Sequence, residues 1–290
     1  MPGETTTGSL RTALPAIVGD ARIVHEEEGT YMRTTDHRRQ QPGTGLEWTE
    51  FAVDQMQADD ITEATQNENY QTFSGTLISV EPDMTQIVIK ITDRTYRKIA
   101  DIVEGKLGTI AGNAMARKKD EDYLDLFSTF STTVSPGTGN PLSFSYIAAG
   151  VNNIQSNTTE TSKAEVYTVL HGFQKYDIQN EILAGVGTYT VPDGLTEEVF
   201  RKGFSGTVAE SNLFTDGNIT VDTVPDANGA VHAREGVISV DALELRKATD
   251  RDELFGGGAD IIILTAEYAF KVRLANWVYL LKSDATAPTG

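Results

Sequence analysis

The sequence predicts an α+β fold, with helices and strands segregated along the chain and not alternating as βαβ units. Three observations carry that expectation. Ile87, Ile89 and Ile91 alternate with Val88 and Lys90, the period of a strand. Ile99, Ile102, Val103, Leu107, Ile110 and Ala114 recur at helical spacing, as one face of a helix. The chain then closes on two strongly apolar strand candidates, residues 260–273 and 277–282.

Residues 1–50 are expected to be an arm without a core of its own. Pro2, Pro15 and Pro42 and scattered glycines break it, and its small apolar groups (Leu14, Ile17, Val18; Ile23, Val24) follow no sustained period. Tyr31, Leu46, Trp48 and Phe51 are spaced anchors that a free tail does not need, so the arm is expected to dock on another surface. Residues 51–92 are expected to be an extended loop. Its second half, residues 70–92, reads as a hairpin turning at Glu81-Pro82-Asp83, where Pro82 presets the backbone angle. A polar stretch, residues 59–69, precedes it. A lone two-stranded projection is marginally stable in water, so this one is expected to lie on a neighbouring copy.

Residues 93–130 are expected to form a long helix started by Asp93 or Thr95. Gly105, Gly108 and Gly112 lie inside it, each costing about 1 kcal/mol relative to Ala. They are expected to mark a close backbone approach or a bend. Residues 131–245 are expected to form a second mixed unit. It holds a loop at 135–141, a short helix at 143–153, a buried strand at 165–171, a helix at 174–183 and short strands across 185–240. Residues 246–290 supply the closing strands that return to the core, with Gly256-Gly257-Gly258 as a hinge between strands.

Composition narrows the function. The 290-residue chain has no cysteine, which excludes disulfides, thiolate metal sites and a cysteine nucleophile. Its net charge of −18 disfavours binding DNA by charge but suits a container that must not stick to its contents. Residues 1–15 lack the basic start and apolar stretch of a secretory signal. No apolar run approaches the roughly 18 residues that span a bilayer, so no membrane partner is expected.

The search for chemistry returns little. There is no phosphate loop and no G-x-G-x-x-G. Gly203-Phe204-Ser205-Gly206 misses the nucleophile-elbow pattern because Thr207 stands where the last glycine should be. His25, His37, His171 and His232 are not at metal-ligand spacing, and Gly29 occupies the place of a second histidine after His25-Glu26-Glu27-Glu28. Asp216-Gly217-Asn218 and Asp226-Ala227-Asn228-Gly229 share pieces of calcium loops without the closing ligand and are expected to be turns. With 42 carboxylates some pair will lie close in space, but the sequence does not mark one. No catalytic residue, cofactor or metal is therefore expected. Two sets of contact residues are. Trp48, Phe51, Tyr70, Phe73, Leu77 and Ile78 are candidates for contacts between copies. Arg97, Lys98, Lys106, Arg117 and Lys118, in the one basic stretch, are candidates for facing DNA or an acidic neighbour, with a solvated helix face as the plain alternative.

The order of loose arm, polar hairpin, long helix and mixed unit ending in strong strands resembles the tailed-bacteriophage major capsid family, of the Hong Kong 97 type. Local segments carry the same likeness. Val88-Ile89-Lys90-Ile91-Thr92-Asp93 is similar to the family's strand-to-spine junction, and Ala114-Met115-Ala116-Arg117-Lys118-Lys119-Asp120-Glu121-Asp122 to the end of its spine helix. Val166-Tyr167-Thr168-Val169-Leu170-His171-Gly172 resembles an axial-domain strand, with Gly172 in place of the family's proline. Gly236-Val237-Ile238-Ser239-Val240-Asp241-Ala242-Leu243 and Leu281-Lys282-Ser283-Asp284-Ala285 are also similar. The resemblance implies an N-terminal arm, an extended β-hairpin loop, a spine helix within a peripheral domain, and an axial domain. It implies a subunit that self-assembles as hexamers and pentamers into an icosahedral shell around double-stranded DNA. Scaffold, portal and decoration proteins would be its partners, with assembly in the host cytoplasm and residence in the virion. An encapsulin-like compartment shell, a decoration or tail protein, and a carboxylate-based hydrolase are the alternatives.

Overall fold

The computed structural model describes residues 29–63, 66, 68, 70–72, 74–97, 102–158, 163–185 and 206–288. Two sheets organise it. The first is four-stranded and is built on a long antiparallel pair, β9 (Val237–Asp252) and β10 (Ala259–Val272). β1 (Asp36–Arg39) joins one side of β9 in parallel, and β4 (Asp83–Thr92) pairs antiparallel with β10. Gly256, Gly257 and Gly258 make the turn between β9 and β10, all at positive φ, a conformation that glycine adopts without steric cost. The predicted hinge is thus a tight turn. Arg251 binds Asp93 and Asp260 beside it, each at 2.8 Å.

The second sheet is five-stranded, with β11 (Val278–Asp284) beside β8 (Asp226–Ala233), then β5 (Val166–Leu170), β7 (Ser211–Thr215) and β6 (Thr207–Val208). Every residue of β5 is buried, as the run Val-Tyr-Thr-Val-Leu predicts for a central strand. Two helices cover the sheet, α4 (Phe144–Gln155) and α5 (Gly172–Gly185). Ile147, Val151, Ile154 and Ile178 from these helices pack on Val166, Leu170, Val231 and Leu281. The two closing strands expected at 260–273 and 277–282 exist, but they belong to different sheets. The expected division at 245 falls inside the continuous strand β9.

A short α2 (Asp93–Tyr96) precedes the long helix α3 (Ile102–Asp125), which a 3-10 turn at Leu126–Thr129 extends. Thr92, not Asp93 or Thr95, starts α2: its hydroxyl accepts from the Thr95 amide. α3 lies on the first sheet through Ala111 and Met115, which meet Leu264, Ala266 and Tyr268. Further along, Tyr123, Leu124, Phe127 and Phe130 pack on Val169, Ala230, Val237 and Val278 and join the two sheets. The buried positions Ala111, Met115, Lys119, Tyr123 and Phe127 are spaced by four. Ile110, placed on the buried face by the sequence pattern, is 47 % exposed. Of the remaining predicted face, Ile99 and the side chains of Ile102, Val103 and Leu107 lie outside the described residues.

The expected hairpin is corrected. Its strands occur near the predicted places and its turn falls at Glu81-Pro82, but the two strands do not pair with each other. β3 (Gly75–Val80) pairs antiparallel with β2 (Trp48–Val53) as a separate two-stranded ribbon, while β4 crosses into the first sheet. The ribbon therefore starts inside the segment assigned to the arm. The described part of that segment is not loose either. After α1 (Tyr31–Thr34), β1 holds a parallel register against residues 238–241 of β9.

Candidate assembly interface

The β2–β3 ribbon has two unlike faces, and its register decides which residue lies on which. Directly paired residues share a face. Trp48 pairs with Val80 and Glu50 with Ile78 on the inner side. Trp48 and Val80 pack on Ile238, Val240 and Ala269 of the first sheet. Arg273 fixes the same base, donating to Glu50 Oε2 and Asp36 Oδ2 at 2.8 and 2.9 Å. Lys271 Nζ donates to the Ser79 carbonyl at 2.6 Å. An arginine gripping two carboxylates at the base holds the ribbon at a set angle.

The outer face carries the pairs Phe51–Leu77 and Val53–Gly75. Phe51 is 50 % exposed and Leu77 64 % exposed, and Val53 is exposed beside them. Met56, Ile61 and Tyr70 are also exposed in the segment joining the two strands. Phe51, Val53 and Leu77 thus share one exposed face of the ribbon, and clustered apolar exposure of this kind is a feature of interaction surfaces. A Cβ on Gly75 would collide with the Phe51 ring and the Ala52 carbonyl, so glycine is required where the aromatic lies across the ribbon.

The six residues expected to contact another copy thus separate. Phe51, Leu77 and Tyr70 are exposed, Trp48 is half-buried and Ile78 is buried against their own chain, and Phe73 lies outside the described residues. The basic stretch separates as well. Arg117 and Lys118 face their own helix acids four residues on, with Arg117 at 3.5 Å from Glu121 and Lys118 at 2.5 Å from Asp122. Lys119 turns inward to Asp241 at 3.0 Å. Arg97 is exposed, while Lys98 and the side chain of Lys106 lie outside the described residues.

The carboxylate pair that the sequence did not mark is Asp120 with Asp216. Both are fully buried, and Thr30 and Asn218 each donate to both of them. Burial, and then the neighbouring Asp216, push Asp120 up to about 7, against the pull of its bonds from Asn218 and from the Thr30 amide. Two acids 96 residues apart leave no local signal. Neither is exposed to receive a substrate in this conformation. Among the described residues there is also no group of three or more His, Asp or Glu able to hold a metal ion. No helix among them is long and apolar enough to cross a membrane.

No protein-family model and no curated protein matches the sequence. Solved structures do match, and those described here are phage or phage-like particles. The capsid of cyanophage P-SCSP1u superposes with a TM-score of 0.71 at 11 % identity, covering 97 % of this chain and 96 % of that one. The head of Helicobacter pylori bacteriophage KHP40 gives 0.71 at 10 % identity, covering 92 % and 95 %. The capsid of Ralstonia phage GP4 gives 0.69 at 10 % identity, covering 94 % and 95 %. The fold is the α+β fold of tailed-phage capsid subunits, the Hong Kong 97 type, and it accounts for nearly the whole of each chain.

Proposed function

We propose that this chain is a major capsid protein, which builds an icosahedral phage shell around double-stranded DNA from copies of itself arranged as hexamers and pentamers. The observation that carries this reading is the β2–β3 ribbon. It is anchored at its base, apolar on its outer side, and set within a fold that spans capsid subunits end to end. The first sheet with α3 corresponds to a peripheral domain, and the five-stranded sheet with α4 and α5 to an axial domain. Phe51, Leu77 and Tyr70 are the residues that meet the next copy. A shell subunit can use contacts of modest strength, because each copy meets many neighbours at once and closure of the shell adds them together. Scaffold and portal proteins belong to the same reading, as do assembly in the host cytoplasm and residence in the virion. The role is structural, not enzymatic.

Electron microscopy of the expressed chain, alone and with the scaffold and portal of its phage, tests the proposal. Shells, tubes or capsomer rings are expected. The double variant Tyr70→Asp with Leu77→Asp should keep the thermal midpoint within about 2 °C, as expected for changes at exposed positions, and should form no particles. Normal particles from that variant would remove the ribbon from the interface. A wild-type chain inert even with scaffold and portal would overturn the capsid reading itself.

A further inference from the structure

Asp120 and Asp216 are tied together by neutral donors. The Thr30 amide donates to Asp120 Oδ1 at 2.8 Å, and the Thr30 hydroxyl to Asp216 Oδ2 at 3.1 Å. Asn218 Nδ2 donates to Asp120 Oδ2 at 3.0 Å, and the Asn218 amide to Asp216 Oδ1 at 2.9 Å. All four carboxyl oxygens are thus occupied, and among the described residues no lysine or arginine pairs with either acid. Lys119, beside Asp120 on α3, points to Asp241 instead. Two buried carboxyls bridged by the same two residues and without a cation cannot both be ionised at low cost, and a proton held between them removes the conflict.

What this pair holds is the N-terminal end of the described chain. A Cβ on Gly29 would lie 2.6 Å from Asp120 Oδ1, so the backbone passes directly over the acid. Thr34, one turn after Thr30, places its hydroxyl 2.8 Å from the Tyr123 hydroxyl. We propose that Asp120 and Asp216 share a proton as an acid-tightened latch, which clips residues 29–35 onto the junction of α3 and the five-stranded sheet. The inference rests on the geometry of one subunit and does not depend on the capsid reading.

The titratable groups around the latch are few. Asp241 and Asp120 both act on Tyr31, which burial first pushes up to about 12. Tyr123, fully buried, is raised by burial and has both acids nearby. His232, on β8, meets Tyr123 at 2.8 Å and not the acids themselves. None of these supplies a positive charge to the pair at neutral pH.

Residues 29–35 cover Asp120, and burial, the largest cause of its raised value, outweighs the Thr30 amide, whose bond pulls that value down, so the closed latch keeps its proton to higher pH than the opened one. Closure is therefore firmest below the ordinary carboxylate value and weakens as pH rises toward about 7. The test is amide hydrogen exchange on the full chain across this range, corrected for the intrinsic rate. Protection of the Thr30, Arg33 and Thr35 amides should fall by up to about tenfold per pH unit between about pH 5 and 7, the limit for one proton, and then level off. Amides of β1, bonded to β9, serve as the internal control. Asp216→Asn, or Asp120→Asn should the first not fold, should abolish the slope. A flat profile in the wild type, protection that rises with pH, or a slope that survives the substitution would overturn the latch.

Discussion

His232 is fully buried and neutral, with Nε2 2.8 Å from the Tyr123 hydroxyl and Nδ1 3.1 Å from the Ala233 carbonyl. The carbonyl fixes the proton on Nδ1, leaving Nε2 to accept from Tyr123. Burial depresses the imidazole from 6.5 to about 4. The unfolded chain then takes up a proton before the folded one. This contribution to stability is whole above about pH 6.5 and drains as pH falls toward 4. Asp120 works in the opposite sense over the same range, because its folded value is raised. The two groups, linked through α3, offset one another. Replacing His232 with Gln, which retains an acceptor for Tyr123, removes one side of that balance. Measured by thermal unfolding, the difference between variant and wild type should shift toward the variant as pH falls from about 6.5 to 4.5. The upper limit is about 1.4 kcal/mol per unit for one proton. A difference that does not change with pH would show that His232 is not held neutral.

At the scale of elements, local period was readable and long-range pairing was not. Alternation identified β4, and Pro82 identified the turn before it, because strand and turn are local properties. The partner of each strand is a property of register across the whole chain, so the local pattern pairs β3 with β4 whereas the fold pairs it with β2. The two-stranded projection expected over residues 70–92 is not the ribbon that forms, and the anchor of that ribbon at Arg273 has no sequence signal. The helix shows the same limit. Its buried stripe runs through Ala111, Lys119 and Asp120, which no hydropathy pattern marks, while the apolar Ile110 is exposed. The Asp120–Asp216 pair had no sequence signal at all. The glycines expected to admit a close backbone do not do so at the described positions: a Cβ on Gly108 or Gly112 would meet nothing within 4 Å. What they retain is the freedom to bend. Gly112→Ala should therefore stabilise the subunit by about 0.5–1 kcal/mol, read as a shift of the denaturation midpoint at unchanged slope. If the helix must bend during assembly, the same variant should form shells more slowly. Destabilisation would mean that the glycine fits a contact absent from the single chain.

For the whole molecule, charge opposes the proposed assembly and burial must drive it. Each copy carries −18, and several of its bases are already engaged within the chain: Arg273 with Asp36 and Glu50, Lys119 with Asp241, Lys118 with Asp122 and Lys90 with Asp252. Copies that approach one another therefore bring a net repulsion, while the outer face of the ribbon offers apolar area to offset it. Screening reaches only about 8 Å at physiological ionic strength but extends several-fold further at low salt, so the repulsive part alone should respond strongly. The concentration at which particles first form, followed by light scattering, should fall several-fold between about 20 mM and 300 mM sodium chloride, where the screening length shrinks by a factor of about four. The opposite trend would carry equal information. Assembly that weakens with salt would mean that attraction between unlike charges dominates the contact. The exposed Arg97 would then be a group that docks on the acidic surface of the next copy.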